Sequence, residues 1–74
     1  MNKTRRNDIY NVITRIEMAK NALQELLDEE QDSFDNMPEN LQGSMRGMES
    51  EESIDTMSEA IESLEEAIET LNMI

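Results

Sequence analysis

Ser58-Glu-Ala-Ile-Glu-Ser-Leu64 is followed without a break by Glu65-Glu-Ala-Ile-Glu-Thr-Leu71, the same seven-residue phrase written twice. Extended back to Ser53, the pattern places Ile54, Met57, Ile61, Leu64, Ile68 and Leu71 at alternating steps of three and four. On a helix those six side chains form one stripe. Glu52, Asp55, Glu59, Glu62, Glu66 and Glu69 run at the same steps on the opposite side. One helix therefore carries an apolar seam for another helix and an unbroken acidic ridge facing outward.

A second helix is predicted over about residues 8–32, where Ile9, Val12, Ile13, Ile16, Ala19, Leu23, Leu26 and Leu27 fit the same alternation. Asn7 is the expected cap, accepting from amides that the first turn leaves unpaired. The last turn, Asp28-Glu-Glu-Gln-Asp32, puts acids where the helix dipole favours cations, so this end is expected to fray. Pro38 then stops the helix, because it lacks an amide hydrogen and pushes Met37 out of helical geometry.

The connector, about residues 33–43, is predicted to hold a short helical turn near residues 37–42. Asn36 and Glu39 have capping-box spacing, and Gly43 suits a left-handed stop. Phe34, Met37 and Leu41 would fold over the end of the helices. The second long helix has capping residues at Ser44, Ser50 and Ser53 and is read as continuous over about 44–72, with Gly47 weakening its first turns by about 1 kcal/mol relative to alanine.

Seventy-four residues give a small core. At this size a single core supplies only about 3–5 kcal/mol, and natural chains add disulfides, metals or oligomerisation. With no cysteine and no histidine in the chain, association is the remaining route. The fold expected is all-α: a two-helix antiparallel hairpin with a helical turn in its connector, paired with a second copy as a homodimeric four-helix bundle. Its seam would be Ile9, Ile16 and Leu23 with Ile54, Met57, Ile61, Leu64, Ile68 and Leu71. The same pairing would bring Lys3, Arg5 and Arg6 to Glu66 and Glu69.

Charge narrows the function. The formal charge is −12, and residues 21–74 carry sixteen acids against Arg46 alone. Such a surface repels nucleic acid and anionic membrane and attracts basic protein faces. Lys3, Arg5 and Arg6, with Tyr10 available for stacking, are too few to reverse that. No apolar run approaches the ~20 residues that cross a bilayer, and no signal-peptide core is present. A cytoplasmic protein is expected.

Chemistry is nearly absent. Asp28, Glu29, Glu30, Asp32 and Asp35 lack the ligand spacing and turn glycine of a calcium loop. No nucleophile has an activating neighbour. The reading is a non-enzymatic binding protein without metal or cofactor. Asp55, Glu59, Glu62, Glu66 and Glu69 are its expected contacts, joined by Met45 and Met48 at the connector, where methionine adapts to irregular partners.

The segment Asp35-Asn-Met-Pro-Glu-Asn-Leu-Gln-Gly-Ser44, set between two acidic helices, resembles short acidic helical proteins of bacteriophages and mobile elements. Those proteins share an Asn-Met/Leu-Pro-Glu-x-Leu-Gln connector, and the resemblance spans about residues 23–71. It carries no site residues with it. It implies a viral setting, and hence an inhibitor of a host or defence protein, whose acidic ridge would imitate a phosphate backbone or dock in a basic groove. The alternative is a structural or oligomerisation module, such as an assembly chaperone for a viral component.

Overall fold

The computed structural model describes all 74 residues and contains helices only: α1 (Lys3–Asp35), α2 (Glu39–Gln42) and α3 (Met45–Leu71). The long helices α1 and α3 pack against each other as an antiparallel hairpin, and α2 closes one end. The Cα trace measures 59 × 15 × 12 Å. Its radius of gyration, 17.1 Å, exceeds the roughly 11 Å of a globular domain this long, so the molecule is a rod.

α1 begins five residues earlier than the sequence reading placed it. Asn2, not Asn7, is the cap, and its Oδ1 accepts from the Arg5 amide at 2.7 Å. Nothing in Lys3-Thr-Arg-Arg6 resists a helix, so the cap that comes first sets the start. The far end also continues past the expected stop. Gln31 Nε2 donates to Asp35 Oδ1 at 3.0 Å, while Gln42 Nε2 reaches the carbonyls of Phe34 and Met37, each at 3.2 Å. These bonds occupy groups that a fraying end would leave to water.

The Asn36–Glu39 capping box does not form. Asn36 still has helical backbone angles and donates its amide to Asp32, so it belongs to the tail of α1. Pro38 stands at the cap position of α2 with no side-chain bond. Gly43 has φ −84° and is no left-handed stop. Ser44 instead starts α3, its Oγ donating to the Leu41 carbonyl and accepting from the Gly47 amide.

Gly47 has a different use from the one expected. A Cβ there would lie 2.1 Å from the Gln42 carbonyl oxygen and 2.6 Å from that of Leu41. The first turn of α3 crosses the connector backbone so closely that only glycine fits.

The seam on α1 also differs in detail. Ile9, Ile13, Ile16, Lys20, Leu23, Leu27, Glu30 and Phe34, at steps of four and three, form it, with the half-buried Gln31 beside it. Ile13, 5% exposed, is the best buried of them. Val12 and Leu26, 47% and 54% exposed, lie off the seam together with Ala19. On α3 the seam runs through Gly47, Ser50, Ile54, Met57, Ile61, Leu64, Ile68 and Leu71. Two seam positions on α1 are polar, and each has a partner across the hairpin. Lys20 Nζ lies 3.9 Å from Glu65 Oε1, and Ser50 Oγ donates to Glu30 Oε1 at 2.8 Å.

Candidate functional site

The heptad phase that buries Ile54, Ile61 and Ile68 turns Glu52, Asp55, Glu59, Glu62, Glu66 and Glu69 to the outside of α3, and all six are exposed. At 1.5 Å per residue the ridge runs about 26 Å. None of its carboxylates makes a side-chain hydrogen bond or an ion pair; the one salt bridge, Lys20–Glu65, lies on the flank. The five contact residues expected from the sequence, Asp55, Glu59, Glu62, Glu66 and Glu69, thus share one straight, uncompensated face.

The charge density of that face limits what it can imitate. Alternating steps of three and four residues give about one carboxylate per 5 Å of helix. A single nucleic-acid strand carries one phosphate per roughly 3.4 Å of axis. The ridge is sparser than a phosphate backbone.

Lys3, Arg5 and Arg6 do not meet Glu66 and Glu69. The Lys20–Glu65 and Glu30–Ser50 contacts fix the register, and they put residues 3–6 level with positions beyond Leu71, where α3 has ended. α1 overhangs its partner helix, and its basic first turn makes no ion pair.

At the opposite end, Met45 and Met48 stand 78% and 61% exposed, with the exposed Arg46 between them. Met37 and Phe34 are half-buried, as a closing layer should be, whereas Leu41 is exposed and does not fold inward. The residue that does close this end is Gln42, through its bonds to Phe34 and Met37. A glutamine four residues past a proline gives no sequence signal for that role.

The seam residues Ile9, Ile16, Leu23, Ile54, Met57, Ile61, Leu64, Ile68 and Leu71 are all buried or half-buried inside the hairpin. They serve α1 against α3 within one chain. Three or more carboxylates converge nowhere to form a metal-holding group, and the surface hollows are open and mostly polar-lined. No helix is long and apolar enough to cross a membrane. No protein-family model, curated protein or solved structure matches the chain.

Proposed function

We propose that this chain is a small non-enzymatic protein-binding module, assembled from two copies, that inhibits a host or defence protein on behalf of a bacteriophage or mobile element. The observation that carries the proposal is the ridge on α3. Six exposed carboxylates stand in register without one compensating cation. Like charges three and four residues apart cost a helix a few tenths of a kcal/mol per pair, and a face needed only for solubility mixes its signs. The partner is a protein with a basic groove, one that normally holds nucleic acid. Met45 and Met48 supply an adaptable apolar contact beside it.

The viral setting rests on the resemblance of the Asp35–Ser44 connector, and the cytoplasm of the host is the compartment it implies. An assembly chaperone for a viral component is the second reading, favoured by the exposed methionines at one end of the rod. Parallel affinity capture from the host bacterium tests both. One bait is the native chain and the other carries Glu59→Gln, Glu62→Gln and Glu66→Gln. The inhibitor reading expects a host protein retained by the native bait, released by salt, and lost from the neutralised one. Equal retention by both baits would refute it, and recovery of virion proteins alone would establish the second reading.

A further inference from the structure

The hairpin exposes 5709 Å² of surface. A compact monomer of 8.6 kDa exposes only about 4,700 Å². The excess, about 1,000 Å², is close to the roughly 800 Å² that each partner buries in a stable interface of standard size. No side chain is fully buried in the single hairpin.

The two broad faces of the rod differ. On one, Glu17, Lys20, Asn21, Glu65 and Glu69 surround the seam, so that side is charged. On the other, Leu26 and Ser33 of α1 share a hollow with Ser53 and Met57 of α3, and Glu29 and Glu30 stand at its edge. Seven-residue steps along that side continue the row as Val12 and Ala19 on α1, and as Ala60 and Ala67 on α3. No charged side chain stands in these rows between Val12 and Ser33 or between Ser53 and Ala67, and one further step reaches Arg5 and Arg46.

Both rows have the same centre. Lys20 meets Glu65 and Glu30 meets Ser50, which places Ala19 level with residues 61–66. The midpoint of Ala60 and Ala67 falls in that interval. A two-fold axis across the face at Ala19 would therefore satisfy both helices at once.

Charge selects the direction of that axis. The connector half, residues 21–54, holds ten acids and Arg46. The open half holds eight acids but all five other cations, with Lys3, Arg5 and Arg6 unpaired on the overhang of α1, so it is much the less negative of the two. Two rods pointing the same way would stack the acidic connector halves on each other. Opposed rods bring the basic first turn of one copy's α1 level with the acidic connector end of the other, which lowers the summed repulsion.

We infer that a second copy of this chain docks on the Val12–Ala19–Leu26 and Ala60–Ala67 face in the opposite direction, with Ala19 on the two-fold axis. The inference rests on the two-copy assembly proposed above and adds its face and direction. Val12 then lies over Leu26 of the partner subunit, and α1 crosses its own counterpart. The ridge of α3 stays outside, and Met45 and Met48, seven residues before Glu52 and Asp55 on the same outer side of the helix, stay clear of the docking face.

The chain has no cysteine, so a single introduced one reports its own neighbourhood. Ala19→Cys places two thiols across the axis, within the 4.4–6.8 Å Cα separation that a disulfide needs when small residues let helices approach closely. Mild oxidation of the full chain is expected to convert Ala19→Cys to a covalent dimer. Met18→Cys, exposed and turned outward, should remain uncoupled. Ala19→Glu leaves the hairpin folded, because Ala19 is exposed in it, and should weaken self-association by about 100-fold or more.

A native chain of monomer mass would overturn both the assembly and this inference. A dimer mass without Ala19→Cys coupling, or with equal coupling at Met18→Cys, would overturn the face and direction while leaving the assembly in place.

Discussion

At the residue scale, the informative positions are those where the heptad is interrupted. Gly47 looks like a weak point in a helix, yet two backbone carbonyls occupy the space a side chain would need. Gly47→Ala should therefore cost about 1–3 kcal/mol, the range for overfilling a packed site, instead of gaining helix propensity. Thermal melting reads the sign directly. Lys20 offers the converse case. It occupies a seam position and pairs with Glu65 at 3.9 Å, with both side chains partly in water. Such a pair contributes about 0.2–1 kcal/mol. A buried leucine contributes about 1.5–3 kcal/mol. Lys20→Leu should raise the melting temperature; a drop would mean that the cation holds the register.

At the scale of elements, α3 separates a face that packs from a face left exposed. Its inner stripe is committed to α1, and its outer ridge touches nothing in the chain. Glu59→Lys with Glu66→Lys should leave the helix content and melting temperature unchanged or slightly higher, because repulsion along the ridge falls. Binding to the captured partner should be abolished. The connector divides in the same way. Met37→Ala should lower stability, whereas Met45→Ala and Met48→Ala should weaken binding with the melting temperature unmoved. Equal destabilisation by all three would contradict that division.

The legibility of these elements follows from the range of the signals. The repeat from Ser58 to Leu71 announces α3 and its two faces, because helical phase is a local property. The seam of α1 was less legible, since Val12 and Ile13, or Leu26 and Leu27, are adjacent apolar residues and either could face α3. Packing chose Ile13 and Leu27. The Asn36–Glu39 spacing misled because Gln31 and Gln42 extend α1 through Asn36 by side-chain bonds that spacing does not reveal. The exposed ridge was legible as a surface, whereas the partner proposed for it would belong to another molecule and leaves no pattern in this chain.

At the scale of the whole molecule, the rod has a seam but hardly a core: Ile13, Ile61 and Ile68 are its only buried hydrophobic side chains. Ile61→Asp should unfold the hairpin itself, since it places an unpaired charge between α1 and α3. Ala19→Glu should separate the copies and leave helices intact. The two substitutions distinguish a chain that folds and then pairs from one that folds only by pairing. The proposed second copy would complete the burial that one hairpin lacks and leave the acidic ridge facing outward. Light scattering on the native chain over a range of concentrations tests this most directly. The expected result is twice the 8.6 kDa chain mass, with a melting temperature that rises with concentration. A monomer that melts cooperatively at a concentration-independent temperature would contradict it.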